Sequence, residues 1–267
     1  MKSKHNILNK DLLKDGILRI TLNDPENKNA LSESMMKSLK NFIEDASVND
    51  DVRVIIIAAT GNVFCSGHNL KEINEGVSKS ENRERFYLNL FKTCSSLMQL
   101  IINCPKPVIA EVNGIATAAG CQLVASCDLA ISSDSSKFAT PGVNIGLFCS
   151  TPMVALSRNV SKKDSMKMLL TGDMISADEA KKISLINDCV PDKQLTKSVL
   201  DLAKKISKKS QAVLKIGKEA FYKQSELNLE DAYEYTSMVM TKNMMIDDAS
   251  EGISSFLDKR NPKWRNK

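Results

Sequence analysis

Two short stretches carry residues that could do chemistry: Phe64 to Leu70, FCSGHNL, and Lys106 to Asp128, KPVIAEVNGIATAAGCQLVASCD. In the second, the apolar run Val108 to Val112 enters a Gly/Ala-rich turn over Asn113 to Gly120, and a short apolar segment follows at once. A strand that ends this way delivers the free N–H groups of a helix start to a ligand oxygen, because first-turn amides have no intrahelical acceptor and the helix dipole is positive there. In the first, the apolar run Val52 to Ala59 leads to Ser66-Gly67-His68, where glycine lets the backbone come close to a bound atom. Two backbone donors converging from two strand ends make an oxyanion hole, which holds negative charge developing on a carbonyl oxygen.

The side chains around these turns are few. The chain has two histidines, His5 and His68. His5 is expected to be exposed and inert. The His68 imidazole either fills the pocket wall or polarises a substrate carboxylate or carbonyl, the task for which it is chemically suited at pH 7. Asn69 is expected to bond nearby backbone in its turn. The loop Thr140 to Thr151 offers Asn144, Cys149, Ser150 and Thr151, yet with one central histidine a serine or cysteine nucleophile is hard to activate, and Cys149 reads as packing. Glu111 and Asp128 flank the second turn and read as ordinary hydrogen-bonding groups. There is no glycine-rich phosphate loop, no G-x-G-x-x-G after a strand and no metal-ligand cluster.

The elements that must position the turns alternate between strand and helix. Ile17 to Leu22 reads as a strand broken by Asp24-Pro25, and Val52 to Ala59 and Val108 to Val112 read as buried strands. A helix is predicted from Ser32 to about Asn49-Asp50, with Met35, Leu39, Phe42 and Ile43 at helical spacing, and another over Arg83 to Asn103, ended by Pro105 and Pro107. Ser176 to Glu179 matches a capping box that opens a helix. After Pro191 the pattern is almost wholly helical: Gln194 to Lys208, Ala212 to Lys223, Leu229 to Met245 and Ala249 to Lys259. This is an α/β succession of units.

Composition narrows the function class. A chain of 267 residues with 42% apolar content buries a substantial core, and no Pro/Gly/Ser-rich linker divides it. The net charge of +5 is spread through helices with interleaved acids, and only 5% of residues are aromatic, which argues against nucleic-acid binding. No apolar run approaches the roughly 20 residues of a membrane span. Seven cysteines without a C-x-x-C pair read as reduced, mostly buried thiols. The opening MKSKHNILNKDLLKDG lacks arginine, carries Asp11 and Asp15, and has no long apolar core, so it reads as neither secretory signal nor transit peptide. A cytoplasmic location is the expectation.

ITLNDPENKNALS near the start, the two turns, and LTGDMISADEAKKISLINDCVP at Leu170 to Pro191 together resemble the crotonase, or enoyl-CoA hydratase/isomerase, superfamily over nearly the whole chain. The resemblance implies the α/β crotonase (ClpP-like) fold. A spiral of ββα units over 1–195 would carry an acyl-CoA site, and a helical trimerisation region over 196–267 would build a homotrimer or a dimer of trimers. It implies that the two oxyanion donors are the N–H groups of His68 and Ala119. It also implies CoA contacts from Lys28, Asn29 and Ala30, from His68, Asn69, Leu70 and Lys71, and from Phe256 and Lys259 toward a neighbouring subunit. No cofactor or metal is implied beyond the CoA of the substrate, a short-chain or fatty-acyl thioester, and by resemblance the activity is that of an enoyl-CoA hydratase, a lyase.

At two positions the chain departs from the family's hydratases, which place glutamates there to deprotonate water and to handle the proton on the carbon next to the thioester. This chain has Gln122 and Gly142. An amide orients water but takes no proton at neutral pH, and glycine offers nothing. General acid–base help is worth about a hundred- to ten-thousandfold, so hydration is expected to be weak. Loss of CO2 from a β-carboxyl acyl-CoA, where the departing carboxylate itself generates the enolate, fits the surviving residues better. The alternatives are a non-catalytic acyl-CoA-binding or regulatory protein and a thioesterase using water held by Gln122.

Overall fold

A computed structural model describes residues 6–266, so His5 lies outside the described residues. The chain opens with an antiparallel hairpin, β1 (Leu8–Leu13) and β2 (Ile17–Leu22), turned by Asp15 and Gly16 at positive φ. β1 is an addition to what the pattern predicts: only Leu8 is buried, so the strand is fixed by backbone pairing to β2 and not by apolar alternation. Helix α1 (Glu33–Val48) starts where predicted, with the Ser32 hydroxyl accepting from Met35 N at 3.1 Å, and buries Met35, Met36, Leu39, Ile43 and Ala46.

Three ββα units follow. The first is β3 (Val54–Ala59), β4 (Val63–Cys65) and the helix pair α2 (Leu70–Lys79) and α3 (Arg83–Asn103). The second is β5 (Val108–Val112), β6 (Ile115–Thr117) and α4 (Ala119–Ser126). The third is β7 (Leu129–Ser133), β8 (Lys137–Ala139), a 3-10 turn over Pro141–Ile145, α5 (Pro152–Asn159) and α6 (Lys162–Thr171). Then come β9 (Ile175–Ser176), α7 (Ala177–Lys182) and β10 (Asp188–Val190). The Ser176 hydroxyl caps α7 by accepting from Glu179 N at 3.2 Å.

Within each unit the first strand joins a six-stranded sheet ordered β1-β2-β3-β5-β7-β10, and the second joins a four-stranded sheet ordered β4-β6-β8-β9. Both sheets are parallel apart from the β1–β2 and β8–β9 pairs. This is the spiral. Every residue of β5 is buried because both faces of the large sheet are covered. Ile55, Ile57, Val108 and Ala110 face the main core, while Val54, Ile56 and Ile109 pack with Leu195, Val199 and Ala203 of α8 (Leu195–Ser207). A strand covered on both faces reads as a near-continuous apolar run, which is why these segments do not alternate, and the one charged residue, Glu111, is paired with Arg19.

The expected division between 195 and 196 falls at the first turn of α8. Beyond it, α9 (Gln211–Gln224), α10 (Leu229–Met244) and α11 (Asp247–Leu257) form a C-terminal helical region. α9 is pinned to the spiral by a buried ion pair: Lys218 Nζ donates to Asp128 Oδ2 at 2.7 Å and to the Ile101 and Lys106 carbonyls, while the Tyr222 hydroxyl donates to Asp128 Oδ1. α10 buries no residue, and Leu229, Tyr233 and Met240 stand exposed on it. No described helix is long and apolar enough to cross a membrane.

Candidate active site

The two turns meet at Ala118. Gly67 has a φ of 89°, and a Cβ on it would lie 3.0 Å from Ala118 Cβ and 3.1 Å from both Ala119 N and Thr117 O. Gly120 is held as tightly, since a Cβ there would fall 2.1 Å from Cys65 O. Only glycines allow this approach, which sets the Gly67–His68 peptide beside the first amide of α4. Ala118, at φ 51° and ψ −120°, makes the sharp entry to the helix. Among the described hydrogen bonds, neither the His68 N–H nor the Ala119 N–H takes a protein acceptor. The arrangement therefore presents two neighbouring, uncommitted backbone donors, one of them at a helix N-terminus.

The predicted loop Lys28–Ala30 lies against the same turn. Ser66 N donates to Lys28 O at 3.2 Å, and Leu31 N donates to Gly67 O at 2.7 Å, forming a bridge between Leu31 and His68. Lys28 and Asn29 both have positive φ. The Asn29 side chain is fully occupied in the fold: Nδ2 donates to Thr60 O and Val63 O, and Oδ1 accepts from Asp24 N. Its N–H donates to Asp24 O at 2.8 Å, so its carbonyl oxygen is what remains for a ligand. Asn69 caps α2, its side chain accepting from Glu72 N at 3.2 Å, with Leu70 and Lys71 exposed at the helix start. Phe256 and Lys259 stand elsewhere, on and just after α11, with Phe256 82% exposed.

Around Ala118 the side-chain chemistry is neutral. Both ring nitrogens of His68 are buried without a hydrogen-bond partner, and so are Gln122 Oε1 and Thr140 Oγ1. Burial pushes the His68 imidazole below its ordinary pKa, although the Leu31 backbone carbonyl beside the ring acts in the opposite direction, so it is neutral at pH 7. The ring of Phe91 on α3 packs edge-on against it, with centroids 5.7 Å apart and planes at 76°. Gln122 sits in the first turns of α4, its N–H bonded to Ala118 O at 3.0 Å.

Gly142 lies in the 3-10 turn, buried, and a Cβ on it would meet Leu147 O at 2.7 Å and Cys149 Sγ at 2.9 Å. The space a side chain would need at 142 is thus already filled by the Cys149 thiol and a carbonyl, and Leu147 N donates back to Gly142 O at 2.9 Å. Burial raises the Cys149 thiol's pKa, leaving it protonated at neutral pH. All seven cysteines are free, and Cys65, Cys94 and Cys121 are pushed up to about 12 by burial.

Glu111 pairs with Arg19 at 2.6 Å and accepts from Thr196, and Asp128 pairs with Lys218; both are structural. The residues that sequence reasoning did not single out are Thr140 and Phe91 at the site and Lys218 and Tyr222 behind it. Nothing in their local sequence marks them, because Phe91, Lys218 and Tyr222 act through partners distant in the chain and Thr140 is set apart only by its burial. Among the described residues, no group of three or more His, Cys, Asp or Glu side chains is placed to hold a metal ion.

The family model described as enoyl-CoA hydratase/isomerase matches residues 13–267. The mouse protein named enoyl-CoA hydratase domain-containing protein 3, mitochondrial, is 50% identical over 250 residues, covering 94% of this chain and 82% of its own. The crystal structure of the human protein of that name superposes with a TM-score of 0.91 at 48% identity, over 97% of this chain and 100% of that one. An enoyl-CoA hydratase from Mycobacterium smegmatis superposes with a TM-score of 0.92 at 44% identity, over 97% and 99% of the two chains. The mouse, frog, rat, human and zebrafish relatives of this name are all mitochondrial proteins, which overturns the expectation of a cytoplasmic location. That expectation rested on the composition of the first residues and on reduced thiols, and a reduced thiol fits the mitochondrial interior equally well.

Proposed function

Because this chain belongs to the enoyl-CoA hydratase/isomerase family, we propose that it binds an acyl-CoA thioester with the carbonyl oxygen on the N–H groups of His68 and Ala119, and that it hydrates enoyl-CoA poorly. The observation that carries this reading is the contact of the two turns at Gly67 and Ala118, which leaves two adjacent amides without protein acceptors. Each such donor, aimed at an enolate oxygen, is worth about a hundred- to a thousandfold in rate. Lys28, Asn29 and Ala30, whose N–H groups are committed within the loop, bind the nucleotide end through backbone carbonyls and the Lys28 side chain. Asn69, Leu70 and Lys71 line the path from the thioester. Phe256 and Lys259 reach the CoA of a neighbouring subunit in a homotrimer or dimer of trimers, whose interface would cover the apolar faces of α10 and α11.

The chemistry open to this site is chemistry that needs no strong protein base. Gln122 orients a group but accepts no proton, and no side chain stands at 142. In loss of CO2 from a β-carboxyl acyl-CoA, the carbon–carbon bond to the carboxylate breaks, its electron pair becomes the enolate held by the two N–H groups, and solvent supplies the proton to carbon. A second reading, acyl-CoA binding without turnover, is favoured by the way Cys149 and Leu147 close the space beside Gly142.

The test is incubation of the purified protein with crotonyl-CoA and with a β-carboxyl acyl-CoA. Loss of the conjugated-thioester absorbance and release of CO2 are followed, and binding is measured by calorimetry on the same sample. Binding with slow or no hydration is expected. Hydration at hundreds per second would sink the claim of a poor hydratase, and absence of binding by either thioester would sink the whole reading. Sedimentation showing only monomer would remove the shared CoA contacts of Phe256 and Lys259.

A further inference from the structure

Helix α11 is fastened to its own chain by polar groups. Its two buried residues are Asp248 and Ser255, while Ile253, Phe256 and Leu257 stand exposed. Asp248, 1% exposed, gathers three donors: the Ser210 hydroxyl reaches Oδ2 at 2.5 Å, Arg265 N reaches Oδ1 at 2.7 Å and Asn266 N reaches Oδ2 at 2.9 Å. The same Ser210 oxygen accepts from Val213 N at 3.2 Å, so it caps α9 while it donates to Asp248. The tail after α11 is laced into the same corner. Trp264 Nε1 donates to Lys208 O at 2.8 Å, and the Asn266 side chain accepts from Gln211 N at 3.0 Å. A Cβ on Gly252 of α11 would lie 3.4 Å from the Trp264 ring.

Hydrogen bonds to a charged acceptor are about twice as strong as neutral ones. Three of them on a buried carboxylate hold one geometry, because a lost donor would leave the group buried and underpaired. They join Asp248 at the start of α11 to Arg265 and Asn266 in the tail, and so close a loop that contains Phe256 and Lys259. Inside that loop Lys259 takes a positive φ of 53° just after the helix, and Arg260 grips both oxygens of Glu251 at 2.7 and 3.0 Å. We infer that Asp248, with Ser210 and Trp264, forms a positioning clasp: it sets the direction in which α11 presents Phe256 and Lys259 to the nucleotide part of a CoA bound in the neighbouring subunit. This rests on the shared-CoA reading and deepens it. No apolar side chain of α11 is buried against its own chain, so these polar bonds hold the helix in place. An aromatic ring and an ammonium that are already held do not have to be ordered when the ligand arrives, and that ordering costs entropy.

The experiment measures butyryl-CoA and butyryl-pantetheine, which carries the same thioester without the nucleotide, by calorimetry on the full chain, with sedimentation of each sample. The variants are Asp248→Ala, Asp248→Asn, Trp264→Phe and Phe256→Ala. Asp248→Ala should weaken butyryl-CoA by about tenfold or more and leave butyryl-pantetheine unchanged. Asp248→Asn keeps one acceptor oxygen and should recover part of that loss. Trp264→Phe keeps an aromatic ring but removes the bond to Lys208 O, and should lose less than Asp248→Ala. If Asp248→Ala does not fold, these two milder variants carry the test. Equal weakening of both ligands overturns the inference, because the clasp then supports the fold in general. Variants that sediment as monomers overturn it too, because the clasp then serves assembly. An unchanged ratio in the Asp248 and Trp264 variants, beside a lowered one in Phe256→Ala, overturns the inference and leaves the shared-CoA reading standing. An unchanged ratio in Phe256→Ala overturns the shared-CoA reading and this inference with it.

Discussion

Gly142→Glu, which would place a carboxylate where the family resemblance expects one, is expected to destabilise the protein and to leave hydration slow. A Cβ at 142 would stand 2.7 Å from Leu147 O and 2.9 Å from Cys149 Sγ, whereas ordinary contact begins near 3.4 Å, so these neighbours must move by several tenths of an ångström. The carbonyl cannot move alone, because Leu147 N is bonded back to Gly142 O. Overpacking of this kind costs about 1–3 kcal/mol, which for a chain of this length lowers Tm by roughly 2 to 10 °C. Gln122→Glu is nearly isosteric and needs no such movement. A carboxylate there would be buried, and burial raises its pKa toward the range of a working base. Gln122→Glu alone should therefore speed hydration by about a hundredfold or more, and Cys149→Ala should recover part of the stability lost in Gly142→Glu. The assay is loss of crotonyl-CoA absorbance alongside thermal unfolding at one fixed protein concentration. If Gly142→Glu hydrates crotonyl-CoA rapidly with an unchanged Tm, the packing argument at Leu147 and Cys149 is refuted.

Gly67→Ala forces a Cβ to within about 3 Å of Ala118 and Ala119 at a positive φ; thioester turnover or affinity should fall at least tenfold, and unchanged activity would detach the two turns from function. Lys218→Met leaves the Asp128 carboxylate and two carbonyls buried without their cation. A loss of about 3–5 kcal/mol is expected by chemical unfolding, part of it regained in Lys218→Met/Asp128→Asn, and a loss under 1 kcal/mol would show that the pair does not pin α9. For His68, burial depresses the folded pKa below the unfolded value of 6.5, so the unfolded chain binds the extra proton first. Stability should be lost as pH falls from 6.5 toward the folded pKa, and His68→Phe should flatten that slope in Tm measured against pH. Identical slopes in the two proteins would place the imidazole in water.

Much of the fold was legible in the sequence because the signals are local. The unbroken apolar run at Val54–Ala59, and Val108–Val112 interrupted only by Glu111, point to strands covered on both faces, and Arg83–Asn103 repeats its apolar residues at helical spacing up to the prolines that stop it. Gly67 could be read as a close-approach point, and the two turns as the source of free N–H groups, whereas the tight packing of Gly120 against Cys65 O came from the fold. That positions 122 and 142 carry no carboxylate was equally plain from the letters. Tertiary structure decided what depends on partners far apart in the chain: β1 exists through pairing with β2, and Asp128 is held by Lys218, 90 residues away. It also decided that Cys149 fills the space at Gly142, and that Gln122 Oε1 and Thr140 Oγ1 are buried without partners. Periodicity records which face of an element is dry, but it carries no record of which buried atom is left waiting for a bond, since that depends on every neighbour the fold brings in.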